Sequence, residues 1–121
     1  MGDFSYPDTD ERAVISRSFS QTAKADAGKL DLTLVPLQII EDIAEVREYG
    51  NKKYGDPDNW KTVEINRYKA ALFRHFLAYL RDSKGVDKES GIKHYKHMAC
   101  NMAFICEMER WEKEHEQKQR R

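Results

Sequence analysis

The chain has 121 residues, of which 40% are hydrophobic and 35% charged, and its 21 basic and 21 acidic side chains give zero net charge. This length predicts one domain with a lean core, and the charge balance argues against nucleic acid as a partner. No apolar run approaches the roughly 18–20 residues of a membrane-spanning helix, and no secretory signal pattern opens the chain. Cys100 and Cys106 are six apart on a predicted helix, too poorly aligned to pair. We therefore expect a cytoplasmic protein with no membrane partner.

The N-terminal part of the chain shows little periodic structure. Residues 1–27 have neither helical nor strand period, which predicts a flexible arm, followed by a single domain over residues 28–121. Residues 28–34 alternate apolar and polar side chains and predict a short extended segment. A helix is then predicted from Pro36 to Tyr49, ended by Gly50. Residues 51–61 contain turn-forming residues and are predicted to form a loop.

Two further helices complete the predicted fold. The second spans Val63 to Arg81, with Thr62 as its N-cap. The third begins near Glu89 or Ser90 and runs past Trp111, and its end, residues 107–121, is almost purely charged. Its apolar residues form two rows, which indicates packing on two sides: Ile92, Tyr95, Ala99, Met102 and Cys106 in one, Met98, Ile105 and Met108 in the other. The predicted fold class is all-α, a small helical bundle completed by oligomerisation.

The first helix carries an acidic face. Glu41, Glu45 and Glu48 have the three- and four-residue spacing that brings side chains to one side of a helix. Oxygen ligands of this kind suit a hard divalent cation such as Mg²⁺. An acidic helix face is also commonly just a solvated face, and both interpretations stay open at this point.

Polar residues with a possible role in binding follow this helix. Lys52, Lys53, Tyr54, Asn59 and Trp60 lie close together in the chain and suit a phosphate and a nucleobase. On the third helix, His94, His97 and Asn101 share a face, and such a row is costly to bury without partners. In the second helix, Arg74 and His75 precede an apolar run, and His75 is either a site residue or a satisfied core histidine. The histidines could equally be surface residues, ligands of a transition metal, or general acids and bases.

The chain contains no nucleophile motif and no glycine-rich phosphate loop. If it is an enzyme, the residues favour metal-assisted attack of water.

Taken in order, four segments resemble a known family. GKLDLTLVP, YGNKKYGDPDNW, RYKAALFRHFLAYL and VDKESGIKHYKHMACNMAF are similar to the phage and bacterial dATP/dGTP diphosphohydrolases, a family of the MazG-like all-α NTP pyrophosphohydrolases. The resemblance runs from Gly28 to Glu109. It implies a bundle of the all-α pyrophosphohydrolase type that assembles as a homodimer or homotetramer in a bacterial or phage-infected cell. It also implies an enzyme dependent on Mg²⁺ or Mn²⁺ that cleaves purine nucleoside triphosphates between the α- and β-phosphates.

The resemblance also suggests site residues. The superfamily has E-x-x-E on one helix and E-x-x-D on a later one; Glu45 and Glu48 match the first motif, and the second is absent. The implied roles are catalysis by Glu45, Glu48 and His75, and metal binding by Glu41, Glu45, Glu48 and Glu89. The expected substrate-binding residues are Lys52, Lys53, Tyr54, Asn59, Trp60, Arg74, His94, His97 and Asn101.

Two alternatives remain from the sequence. One is a non-enzymatic helical module that binds nucleotide or a protein partner. The other is a zinc-dependent nucleotide hydrolase built on His75, His94 and His97.

Overall fold

The computed structural model describes residues 27–119, with side chains as far as Glu112. The predicted flexible arm lies outside the described residues, apart from its last residue. The described chain falls into two units that divide after Val35. In the first unit, Leu32–Leu34 forms a 3₁₀ turn in which the Asp31 carboxylate accepts the Thr33 amide at 3.1 Å. The predicted extended segment is therefore wrong at this point, because Asp31 caps a local turn instead.

The second unit consists of three helices, and its all-α class is confirmed. They are α1 (Gln38–Tyr54), α2 (Ile65–Arg81) and α3 (His94–Gln119), and a 3₁₀ turn, Asn59–Thr62, precedes α2. Over residues 27–119 there is no strand beyond one isolated antiparallel bridge between Val86 and Lys93. Helix α3 packs against both α1 and α2, as its wide apolar face predicts. In the same part of the chain, no helix is both long and apolar enough to cross a membrane.

Helix α1 continues one turn beyond its predicted end. Gly50 lies inside the helix, and Gly55 ends it in the left-handed conformation, with φ of 72° and its amide donating to the Asn51 carbonyl at 2.8 Å. A glycine costs roughly 1 kcal/mol inside a helix, which is too little to stop one that has a better cap five residues later. Lys52 and Lys53 are consequently helical residues of the last turn, where their charge favours the helix dipole.

The starts of α2 and α3 also differ from the predictions. Helix α2 begins at Ile65 after Glu64, because Thr62 belongs to the preceding 3₁₀ turn and its hydroxyl donates to the Asn59 carbonyl. Helix α3 begins only at His94. The six residues before Lys93, from Asp87 to Ile92, form a tight turn in which the Asp87 amide donates to the Ile92 carbonyl at 2.8 Å and the Gly91 amide donates to the Asp87 carbonyl at 2.7 Å.

The core lies mainly along α3. Among the described residues, the buried apolar side chains are Ile92, Cys100, Ile105 and Met108. The first predicted apolar row is wrong in part: Ile92 is buried, whereas Tyr95, Met102 and Cys106 are exposed. The inward stripe instead includes His97 and Asn101 at helical spacing from Phe104 and Met108, so polar residues occupy places that a search for apolar periodicity excludes.

Candidate active site

A groove of about 410 Å³ runs between α1, the segment after it, and α3. This volume is in the range of sites for nucleotide-sized ligands. Three kinds of side chain line it: the cations Arg47, Lys53 and Arg67; the aromatics Tyr49, Tyr54, Trp60, Tyr68 and Phe104; and the polar groups Asp56, Asn59, His97, Cys100 and Asn101. Val46, Gly50 and Val63 complete the lining. The mixture can hold a polyanion at one place and a flat ring at another.

Phe104 of α3 organises the aromatic part of the groove. Its ring stacks on Trp60 with 4.8 Å between centroids and 13° between planes, and it meets Tyr68 of α2 at the same distance. The guanidinium of Arg47 lies 5.2 Å from the Phe104 centroid, a cation–π distance. The Tyr68 hydroxyl donates to the Trp60 carbonyl at 2.8 Å. Phe104 therefore connects α1, α2, α3 and the 3₁₀ turn.

Trp60 already uses one ring face in this stack. Tyr54, in contrast, is 59% exposed at the end of α1, and Lys53 lies 5.2 Å from its ring centroid. Tyr54 is consequently the aromatic of the groove with the freest face for a ligand.

A histidine cluster lies beside the groove, connected to it through His97. The imidazole of His75 on α2 stacks on His97, with 4.6 Å between centroids and 6° between planes. Its Nδ1 lies 2.8 Å from the Nδ1 of His94, the first residue of α3. At this distance the two nitrogens share at most one proton, so one imidazole donates and the other accepts.

The turn before α3 fixes Asp87 at the same cluster. The Ser90 amide and hydroxyl donate to Asp87 Oδ2 at 2.9 and 3.0 Å. Since the Ser90 hydroxyl proton is used there, its oxygen accepts from His97 Nε2 at 2.7 Å, which assigns the proton of His97 to that nitrogen. His75, Asp87 and His94 each present one donor atom, and these atoms lie within 4.8 Å of one another.

The environment changes the protonation of several of these groups. Burial, then the neighbouring His97 and His94, lowers the pKa of His75 to about 4, so it is neutral at pH 7. Burial also lowers the pKa of His97. Burial opposes ionisation of Asp87, yet the hydrogen bonds from Ser90 lower its pKa, so it is a carboxylate. In the groove, burial raises the pKa of Cys100 to about 11 and that of Tyr68 to about 12, which leaves both protonated.

The carboxylates expected to bind metal lie outside the groove lining. Glu41, Glu45 and Glu48 are exposed on α1 and do not form one close group of donor atoms. Glu45 pairs with Lys96 of α3 at 2.7 Å. Glu89 pairs with Lys53, and this hydrogen bond lowers the pKa of Glu89 and raises that of Lys53.

These four residues supply the oxygen donors that Mg²⁺ and Mn²⁺ prefer, so they fit such an ion in chemical type. Two of them already have lysine partners, which an incoming ion must displace. The metal role of the four carboxylates stays a prediction.

The structure brings together most, not all, of the residues expected to bind substrate. The groove contains Lys53, Tyr54, Asn59, Trp60, His97 and Asn101. Lys52 and Arg74 are exposed outside its lining, and His94 belongs to the histidine cluster. Among the lining residues that sequence reasoning did not assign to a site are Arg47, Arg67, Tyr68 and Phe104. These four residues reach the groove only through the packing of the helices.

Comparison with known proteins identifies the family of this chain. The family described as dATP/dGTP diphosphohydrolase, N-terminal, matches residues 20–119. The chain belongs to this family. A dATP/dGTP diphosphohydrolase of Salmonella phage PMBT28 is 38% identical over 82 residues, which is 68% of this chain and 28% of the phage protein. The chain thus spans little more than a quarter of the length of that relative. No solved structure matches the chain. The family resemblance identified from the four sequence segments is confirmed.

In this family member, the low pKa of His75 predicts acid sensitivity. The unfolded chain takes up a proton at His75 near pH 6.5, whereas the folded chain does so only near pH 4. The contribution of neutral His75 to the free energy of unfolding is therefore fully present above pH 6.5, and it is lost as the pH falls towards 4. Allowing for solvent screening at a half-buried site, we expect a loss of about 1–2 kcal/mol over this window. Urea unfolding at several pH values, with EDTA present, measures it.

The control for this prediction is His75→Gln. Its free energy of unfolding should depend less steeply on pH than that of the unchanged protein, with a remaining slope from His97. Equal slopes for both proteins would contradict the assignment.

Proposed function

We propose that the chain hydrolyses purine nucleoside triphosphates, with dGTP, dATP and GTP as candidates, between the α- and β-phosphates to give the monophosphate and pyrophosphate. The observation that carries the proposal is the groove, which combines three cations with a free aromatic face. The phage relative is named as a dATP/dGTP diphosphohydrolase, which supports the substrate class. The enzyme would act in the cytoplasm of a bacterial or phage-infected cell.

The cations of the groove define a place for the phosphates. A triphosphate carries about four negative charges, and preorganised cations stabilise the charge that develops as the bond breaks. Arg47 is held by the Phe104 ring and by a hydrogen bond that it donates to the Pro57 carbonyl. Lys53 lies nearby on α1, and Arg67 faces the groove from the first turn of α2. We assign the phosphates to these three side chains.

The base then lies towards the open aromatic side. Tyr54 offers an exposed ring for stacking, with only Lys53 near it, while Trp60 is engaged with Phe104. Asn59 and Asn101 each carry an amide that can both donate and accept, as a purine edge requires. Both amides line the groove; Asn101 is buried and Asn59 is half-buried. We assign base recognition to these two amides.

For the proposed reaction, Glu41, Glu45, Glu48 and Glu89 would hold Mg²⁺ or Mn²⁺; these carboxylates do not form one close group in the structure, so their side chains must move to share an ion. When bound, a divalent ion neutralises phosphate charge and makes a bound water more acidic. Glu48 has no lysine partner among the described ion pairs, which leaves its carboxylate available to hold the ion or to orient the water. His75 is also proposed to take part in catalysis; it is neutral at pH 7, its low pKa makes it a weak base, and it lies in the histidine cluster and not in the groove lining.

Analysis of the reaction products tests this proposal. Incubated with dGTP, dATP and GTP in Mg²⁺ or Mn²⁺, the protein should release pyrophosphate and monophosphate, resolved by ion-exchange chromatography. Glu48→Gln removes one carboxylate charge at constant size and should abolish turnover while the helical circular dichroism spectrum is unchanged. Release of orthophosphate would contradict the bond assignment, and full activity of Glu48→Gln would contradict the metal assignment. Nucleotide binding without turnover would favour the non-enzymatic module.

The two neighbouring lysines provide a matched test of the groove. Lys53→Met removes a cation from the lining, whereas Lys52→Met removes one from the same turn but outside the lining. We expect Lys53→Met to raise KM for the triphosphate about tenfold or more, since a charged hydrogen bond contributes roughly 1.5–3 kcal/mol. Lys52→Met should leave KM within about twofold. Equal effects would place the phosphates elsewhere.

We further propose that a second copy of the chain covers the apolar face of α2, so that the protein forms a homodimer or homotetramer. Phe73 and Leu80, seven residues apart on one helix face, are each 62% exposed, and Phe76 and Leu77 between them are also exposed. A contiguous apolar patch of this kind is typical of an interface.

Light scattering should give a molecular mass that is a multiple of the 14.2 kDa chain. Phe73→Ser combined with Leu80→Ser should reduce the mass, and Arg81→Ser should not; a monomeric unchanged protein would refute the assembly.

A further inference from the structure

The histidine cluster has the composition of a metal site. We propose that His75, Asp87 and His94 bind a divalent transition-metal ion of the Zn²⁺ type, separate from the ion assigned to the glutamates. The three ligands come from α2, from the turn before α3 and from the first residue of α3. Their donor atoms lie within 4.8 Å of one another, and all three residues are half-buried. This set differs from the three histidines considered from the sequence, because Asp87 replaces His97.

The distance between the two imidazoles is compatible with a shared ion. Two nitrogens that each bind an ion at about 2.1 Å lie about 3.0 Å apart at a right angle and about 3.4 Å apart in a tetrahedron. The observed separation of His75 Nδ1 and His94 Nδ1 is 2.8 Å. A small rotation of either side chain therefore opens the pair to ligand geometry.

The donor types decide which ion is preferred. Two imidazole nitrogens and one carboxylate oxygen suit Zn²⁺, Mn²⁺, Fe²⁺ or Co²⁺, whereas Mg²⁺ prefers oxygen ligands alone. Two nitrogen donors and the Irving–Williams order together favour Zn²⁺ over Mn²⁺. Three protein ligands leave room for water to complete the coordination shell.

The surroundings of Asp87 resemble the support that metal ligands usually have. The Ser90 amide and hydroxyl both donate to Asp87 Oδ2, which holds the carboxylate in one orientation. The same hydroxyl oxygen accepts from His97, whose ring stacks on His75. Side chains hydrogen-bonded to metal ligands orient them and raise affinity by about 10–100-fold.

An ion at this position would connect α2 directly to α3. It would also lie one imidazole away from the groove, since His97 belongs to the groove lining and stacks on His75. The inference does not depend on hydrolysis of any nucleotide, and its test requires none.

The experiment titrates metal-free protein, prepared with EDTA and then dialysed, with Co²⁺ or Zn²⁺ in a large excess of Mg²⁺ and without nucleotide. We expect one tight equivalent per chain, measured by calorimetry for Zn²⁺ and by visible absorption for Co²⁺. Removing a metal ligand should lower Zn²⁺ affinity at least as much as removing a side chain that is hydrogen-bonded to a ligand. His94→Gln and Asp87→Asn should therefore each weaken binding about a hundredfold or more. Ser90→Ala should weaken it about tenfold.

Asp82→Asn is the matched control. Asp82 lies in the same connection between α2 and α3, and its carboxylate also accepts a backbone amide, that of Lys84 at 3.1 Å. This substitution should leave binding unchanged. Zn²⁺ should also raise the melting temperature of the unchanged protein by roughly 5–10 °C and leave that of His94→Gln unaffected.

Two outcomes would overturn the inference. One is that neither Zn²⁺ nor Co²⁺ binds in the presence of excess Mg²⁺, which would identify the cluster as a hydrogen-bonded histidine pair only. The other is equal binding by the unchanged protein and His94→Gln. Tight Zn²⁺ binding without pyrophosphate release would refute the proposed function and leave the metal site standing. Pyrophosphate release without tight Zn²⁺ binding would refute the metal site and leave the proposed function standing.

Discussion

The packing of Phe104 against three other segments is the interaction on which the candidate site depends. Its ring contacts Trp60 before α2, Tyr68 within α2 and the guanidinium of Arg47 on α1. Aromatic pairs of this geometry contribute about 0.5–1.5 kcal/mol each beyond the area that they bury. Few side chains are fully buried in the described part of the chain, so these contacts carry an unusual share of the packing. The groove exists because one side chain of α3 fixes the position of residues from both other helices.

This arrangement places packing residues and candidate site residues on the same face of α3. His97, Asn101 and Phe104 lie on one side of α3, with the buried Met108 one turn further on. Polar groups on such a face are costly unless they have partners. His97 has Ser90, and no buried side-chain nitrogen or oxygen among the described residues lacks a hydrogen-bond partner. The polar stripe is therefore accommodated, at the expense of apolar contact that an ordinary three-helix core would have.

The fold class and much of the groove could be predicted from the sequence, and the failures have physical causes. Helical periodicity located all three helices, and local composition around Lys53 to Trp60 indicated the groove. Gly50 misled the prediction because a helix tolerates an interior glycine when a left-handed cap such as Gly55 follows. Arg47 and Phe104 could not be assigned, because their meeting depends on how α1 packs against α3. Asp87 was similarly hidden, since a hydrogen-bonded turn, not helical spacing, brings it to the histidines.

The ion pair between Lys53 and Glu89 has a consequence for how ligands would bind together. In the free protein the two side chains neutralise each other, so the groove holds less positive charge than its lysine suggests. A phosphate that takes Lys53 releases a carboxylate, and a cation that takes Glu89 releases an ammonium group. Each ligand would thereby expose the charge that the other needs, and by thermodynamic reciprocity each would strengthen the binding of the other. The pair would thus make the joint binding of a polyanion and its counter-ion more favourable than the binding of either one alone.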